Sequence, residues 1–237
     1  MFQGFSQETI DFMWGIRFHN RRDWFLEHKE IYQKKYYEPM KELGAEVQER
    51  FHQLHPEFQL NVKVSRIYRD ARIVRDGRPY KDHLWLVLRE AAEGPIPRPA
   101  YYAEFYPEHY EFGMGYWCPK PALMEHFRAK ALREQPRLEK LARSLNRQKQ
   151  FRLYGTLYKK PKAEVSALLN PWLNRRDIGI SCEKDYEEGS PFFGAELIEE
   201  IVEGFDYLAP FFQFFQELAM EPEEGYKATS YKGAQYD

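Results

Sequence analysis

Between Arg66 and Lys81 the chain carries Arg66, Arg69, Asp70, Arg72, Arg75, Asp76, Arg78, Tyr80 and Lys81, its densest run of side chains able to do chemistry. A guanidinium stays protonated and presents a planar fork of donors. Cations recurring every third residue therefore suit a bidentate grip on phosphate or carboxylate better than proton abstraction. In an extended segment that spacing alternates faces, so the set converges only if the chain turns after Arg69, and Asp76-Gly77 with Pro79 supplies a further turn. Arg66 shares parity with Val62 and Val64. On a buried face it would need a carboxylate, and Asp70 is the nearest in sequence. The expected ligand-binding set is Arg66, Arg69, Arg72, Tyr80 and Lys81, with Asp70 orienting one guanidinium and a small anion as the ligand. Proton transfer would fall to Asp70, Asp82, His83 or Tyr80, so no residue is assigned as catalytic. The competing reading is that the same network satisfies buried polar groups and pins a loop, with no ligand at all.

Other candidates are weaker. His52 and His55 sit three apart near a helix end with no third ligand at a matching spacing, so no metal is expected. Lys81-Asp82-His83 sets an acid beside an imidazole, but neighbours on a strand point to opposite faces, and no dyad is expected. Cys118 precedes Pro119 at a helix start without an assignable base. Gly113-x-Gly115 lies in a strand pattern rather than at a strand-to-helix turn, and no Walker-type phosphate loop occurs, so no cofactor is expected.

These residues need a scaffold, and its elements follow from periodicity. Ser6 stands as the cap of a helix with Ile10, Met13, Trp14, Ile16 and Phe18 on its apolar face, and Asn20 as the cap of a second carrying Trp24, Phe25, Ile31 and Tyr32. Pro39 opens a third with Met40, Leu43, Val47, Phe51 and Leu54 on one face, and Pro56 ends it. The period then changes. Residues 61–68, 84–89, 100–106 and 110–117 read as strands, the last two joined by a short hairpin at Pro107-Glu108-His109, with Pro95, Pro97 and Pro99 marking a loop before the third. After residue 120 helical spacing returns in Leu123/Met124/Phe127, in Leu138/Leu141/Leu145 and in Leu197/Ile198/Ile201/Val202/Phe205. Pro210 is expected to begin a final helix. The predicted fold is a single α+β domain over residues 1–220, a mainly antiparallel sheet of about four strands flanked by helices from both termini, with 221–237 fraying.

Composition excludes other classes. With 43% apolar and 17% aromatic residues, the 237-residue chain can bury a core, which argues against disorder. Two cysteines cannot build a disulfide framework, no signal-peptide core is visible and no apolar run of about 18 residues occurs, so a cytoplasmic protein without membrane spans is expected. Charge is segregated: residues 120–162 hold 13 Lys or Arg against 3 Glu, and residues 183–224 hold 13 acidic residues against Lys184 alone. The two regions could face each other. The alternative function is a non-catalytic interaction module that uses the basic 120–162 arm for a protein or polyanion partner. Nucleic acid is not expected, because no recognition motif accompanies the arm.

Arg66, Arg69, Asp70 and Arg72, followed by Asp76 and by Pro79-Tyr80-Lys81, resemble the R-x-x-R-D-x-R-F and P-Y-K signature of the domain-of-unknown-function family DUF2461. Ile73 stands in the usual Phe place and Gly77 where a Lys is usual. Phe5, Phe12, Asn20, Arg22, Trp24, Phe25, Lys29, Tyr32 and Pro39 resemble its opening pattern. Tyr101-Tyr102, Gly113, Gly115, Trp117 and Pro119 resemble its later aromatic strands. The resemblance implies a family and no activity, since the family has no established function.

Overall fold

The computed structural model describes residues 1–70, 72, 74–91 and 97–220. Six strands, β1 (Asn61–Val64), β2 (Leu84–Arg89), β3 (Ala100–Phe105), β4 (His109–Gly115), β5 (Arg152–Tyr154) and β6 (Gly179–Asp185), form one sheet in the order β1-β2-β3-β4-β6-β5. The fold is α+β, as expected, but the sheet has two more strands than the four read from sequence. The four expected segments correspond to β1 to β4. β6 escaped notice because only Ile180 and Cys182 point inward from it, at 0% and 1% exposure, while Ser181 and Glu183 alternate outward, so the segment reads as a polar loop. β5 has three residues, too few to show a period.

Antiparallel register sets Val62 opposite Leu88 and Lys63 opposite Val87, then Trp85 opposite Glu104 and Val87 opposite Tyr102. The Tyr106 N–H donates to the His109 carbonyl at 2.9 Å and closes the expected turn between β3 and β4.

By contacts the chain divides into two compact units. The first comprises Met1–Glu90, Ala100–Met114 and Ser181–Ala209. Its helices begin with α1 (Gln7–Phe18), whose Ile10, Met13 and Ile16 are buried as the spacing requires, while Trp14 is half-buried and Phe18, at the helix end, is exposed. α2 (Arg22–Glu27) starts after Arg21 rather than at Asn20, because the Asn20 amide is engaged elsewhere. α3 (Lys29–Ile31) continues through a wide π-helical turn, Tyr32–Tyr37, into α4 (Glu38–Leu54), so no new helix begins at Pro39. Pro39 has no N–H to give the Lys35 carbonyl. The buried Thr9 hydroxyl donates to that carbonyl at 2.6 Å and lets the helix pass the proline. α4 packs on β1 and β2 with Met40, Leu43, Val47 and Phe51 buried. The Phe51 ring meets Tyr101 at 5.0 Å, and Tyr101 meets Phe205 at 4.7 Å.

The second unit comprises Ala91–Pro99, Gly115–Ile180 and Pro210–Asp237. α5 (Pro121–Arg133) and α6 (Gln135–Arg147) bury the expected Leu123/Met124/Phe127 and Leu138/Leu141/Leu145 faces, and α7 (Asn170–Leu173) sets Trp172 against Phe211 at 6.1 Å. The Tyr116 hydroxyl donates to the Phe215 carbonyl at 2.6 Å. α8 (Glu196–Gln216) contains Pro210 in its interior, so the two helices expected on either side of that proline are one. Part of the expected proline loop, Pro95 included, and the whole expected tail lie outside the described residues. Among the described residues no helix is long and apolar enough to cross a membrane.

Candidate functional site

The Arg66–Lys81 segment joins β1 to β2 and folds back on itself. Tyr68 bridges to Tyr80, the Arg69 N–H donates to the Pro79 carbonyl at 2.9 Å, and the Lys81 N–H donates to the Ile67 carbonyl at 2.7 Å. The side-chain period shifts after Val64: Ser65 and Ile67 are buried while Arg66 and Tyr68 are exposed. Arg66 therefore needs no buried carboxylate, and the expected Arg66–Asp70 pair is replaced by another. Asp70 takes Arg72, whose Nε reaches both carboxylate oxygens at 3.0 Å and whose Nη2 reaches Oδ2 at 2.7 Å, with the Arg72 N–H donating at 2.9 Å. These bonds hold the Asp70 carboxyl down at about 2. Asp76 takes Arg69 through one Nη1 at 2.8 and 2.9 Å, and the same nitrogen donates to the Arg78 carbonyl at 3.0 Å. Gly77, at φ +70°, supplies the left-handed turn beside Asp76 that a side chain would disfavour, which accounts for glycine at this place.

Tyr80 is a structural member of the set. Its ring stacks on Phe25 at 4.4 Å, and its backbone is clamped by Asn20, which accepts from the Tyr80 N–H at 3.0 Å and donates to its carbonyl at 2.9 Å. The cluster thus separates into two internally paired guanidiniums, Arg69 and Arg72, a buried aromatic post, Tyr80, and two cations in no direct ion pair among the described residues, Arg66, whose charge acts on Asp70, and Lys81, which feels Glu104. The half-buried Lys81 ammonium donates to the Arg66 carbonyl at 2.8 Å and lies 5.5 Å from the Trp85 ring centre. Burial, then the charge of Arg66, lowers its pKa below the ordinary lysine value, and Lys63 adds to the effect against the pull of Glu104.

A second cluster occupies the same unit, where Arg17 of α1 meets the bend before β2 and the turn between β3 and β4. Arg17 Nε lies 2.6 Å from Asp82 Oδ2, and Arg17 also pairs with Glu108. His83 Nδ1 lies 2.8 Å from Asp82 Oδ1 and His83 Nε2 lies 3.3 Å from Glu104 Oε1. The acid–imidazole contact, not expected for neighbours on a strand, exists, because Asp82 and His83 occupy a bend just before β2. Hydrogen bonding to His83 and Arg17 holds the Asp82 carboxyl far below the usual range, while burial at 7% exposure pushes Glu104 up. The Tyr106 ring stacks between His83 at 4.8 Å and His109 at 5.0 Å. Burial and the neighbouring Glu104 and Glu183 carboxylates raise Glu111 to about 7, and His109 Nε2 lies 3.7 Å from Glu183.

The family described as "Conserved hypothetical protein (DUF2461)" matches residues 8–214. The chain belongs to DUF2461. No curated protein matches it. In this DUF2461 chain the matched span covers the residues of both clusters. Only the first was read from sequence. The second had a signal in the alternation of Tyr102, Glu104 and Tyr106, then His109 and Glu111, among the inward Tyr101, Ala103, Phe105, Tyr110 and Phe112, which reads as a polar outer face once period two is applied. Of the weaker candidates, His55 is taken by Glu57 at 3.0 Å and Asp206 at 2.7 Å, as a helix-end role requires. Cys118 is exposed at φ +46°.

Proposed function

We propose that this DUF2461 protein binds a small anion, phosphate- or carboxylate-bearing, between the Arg66 guanidinium and the Lys81 ammonium, with no turnover assigned. The observation that carries the reading is that the Lys81 ammonium sits on the Arg66 carbonyl and neither cation is in a direct ion pair among the described residues, while the neighbouring Arg69 and Arg72 are each matched by an aspartate. Like charges held together and partly desolvated repel, and an incoming anion relieves that repulsion. Asp70, Asp76, Arg69, Arg72 and Tyr80 then serve as the frame that fixes the loop, and the site of four cations and a tyrosine expected from sequence narrows to two direct contacts.

Thermal denaturation with inorganic phosphate and with citrate tests this. A saturating anion at a hundredfold over its Kd stabilises the native state by about 2.7 kcal/mol. Arg66→Gln is expected to lose that stabilisation at unchanged intrinsic Tm. Arg69→Ala is expected to keep it while lowering Tm. Retention of the anion effect in Arg66→Gln refutes the site.

A second reading, the interaction module, is favoured by one feature of α6: a hollow of about 360 Å³ lined by Pro136, Glu139, Lys140, Arg143, Ser144 and Arg147. The arm is partly neutralised within its own unit. Arg137 is held by Glu217 at 2.5 and 2.8 Å, and Lys130 by Glu134 at 2.6 Å and Glu217 at 3.1 Å. Lys140, Arg143 and Arg147 are the residues through which a salt-sensitive association would run, and their neutralisation would abolish it.

A further inference from the structure

We propose that His109, Glu111 and Glu183, on the adjacent strands β4 and β6, form a binding site for a divalent transition-metal ion. The site is independent of the anion reading and shares no residue with it. His109 and Glu111 lie two apart on β4 and so project from one face, and Glu183 lies on β6, the strand beside it. One donor atom from each residue converges, the imidazole nitrogen and two carboxylate oxygens lying within 4.8 Å of one another, with His109 Nε2 and Glu183 Oε2 at 3.7 Å. Metal–nitrogen and metal–oxygen bonds of about 2.0–2.2 Å put the ligands of a tetrahedral ion roughly 3.4 Å apart, so closure around an ion takes side-chain rotation and no change of strand register.

His109 and Glu111 are half-buried and Glu183 is exposed. No Lys or Arg forms an ion pair with Glu111 or Glu183 among the described residues, and the adjacent Lys184 is drawn to Glu200 at 3.1 Å. The Tyr102 hydroxyl hydrogen-bonds the Glu111 carboxylate, and the Tyr106 ring stacks 5.0 Å from the His109 ring and fixes its plane. Such outer contacts orient ligands before the ion arrives. An imidazole with two carboxylates is a borderline donor set that suits Zn²⁺ or Mn²⁺ above Ca²⁺ and Mg²⁺, which prefer oxygen alone. Three protein ligands leave at least one coordination position for water or a second ligand.

Titration calorimetry on the chelator-treated full chain with ZnCl₂, MnCl₂, CaCl₂ and MgCl₂ tests the assignment. One Zn²⁺ or Mn²⁺ per chain is expected, bound more tightly than Ca²⁺ or Mg²⁺. Tyr102→Phe is expected to weaken it by about 10–100-fold, and His109→Ala and Glu111→Gln by more than that. Glu111→Gln removes a carboxylate repelled by its neighbours, so it keeps the fold, and an unchanged Tm without metal verifies this. His55→Gln, another histidine between carboxylates, is expected to leave binding unchanged. Absence of stoichiometric Zn²⁺ or Mn²⁺ binding, tighter Ca²⁺ or Mg²⁺ binding, or undiminished affinity in folded Glu111→Gln overturns the proposal.

Discussion

Tyr36→Phe isolates a single buried hydroxyl at the point where β2 begins. The Tyr36 side chain is 1% exposed, and its hydroxyl donates to the Phe105 carbonyl at 2.9 Å while accepting from the Leu84 N–H at 2.7 Å. Leu84 and Phe105 are register partners at one end of the β2–β3 ladder, so the phenol stands in for the hydrogen bond they would otherwise exchange. Phenylalanine keeps the ring and its edge contacts with Phe5 at 6.2 Å and Phe12 at 6.4 Å, which leaves the packing term nearly untouched. The loss is then the cost of two orphaned backbone groups, about 1–3 kcal/mol for the buried N–H and less for a carbonyl with a second lone pair, or about 2–4 kcal/mol together. Urea denaturation should show a lower midpoint at unchanged slope. Burial raises the Tyr36 pKa far above the ordinary phenol value, so the hydroxyl remains a donor at all ordinary pH. The unfolded chain releases this proton from about pH 10 upward, and the contribution falls there and not below. A destabilisation under about 0.5 kcal/mol would refute the reasoning, because it would mean that the two backbone groups find other partners.

Two further outcomes follow from geometry and charge. Gly115→Ala would place a Cβ 2.7 Å from the Gly179 Cα and 2.8 Å from the Ile178 carbonyl, backbone atoms that cannot swing away, and should cost about 1–3 kcal/mol by thermal denaturation. Anion affinity should decline with alkali. Binding requires the protonated ammonium, and Lys81 loses its proton below the ordinary lysine value, so sulfate, whose own charge is constant, should weaken in mild alkali, and Lys81→Arg should remove that decline.

Where burial and period coincide, the elements were legible. Most of the α1 and α4 faces, the apolar run of β2 and the turn at Pro107-Glu108 followed from spacing, whereas the helix-end residues Phe18 and Leu54, expected on those faces, are exposed. What escaped depends on partners distant in sequence. Pro39 reads as a helix start until the Thr9 hydroxyl is found on the Lys35 carbonyl, and Asn20 reads as a cap until its amide is found on Tyr80. β6 has two inward apolar residues, and its status rests on neighbouring strands rather than on its own composition. At the candidate site, residue types pointed to anion chemistry, but the pairing of Arg69 with Asp76 and of Arg72 with Asp70 depends on how the loop turns. The His109/Glu111/Glu183 convergence needs β6 beside β4, an adjacency that no local pattern carries.

The central claim, that Arg66 and Lys81 face an anion while Arg69 and Arg72 serve the loop, is tested most directly by calorimetric titration of inorganic phosphate into wild type, Arg66→Gln, Lys81→Gln and the double variant. Wild type should bind one phosphate per chain, each single variant should lose most of the affinity, and the double variant should lose less than the two singles added, as expected for two groups gripping one ion. Phosphate binding that survives Arg66→Gln and Lys81→Gln but vanishes in a folded Arg69→Ala would contradict the account.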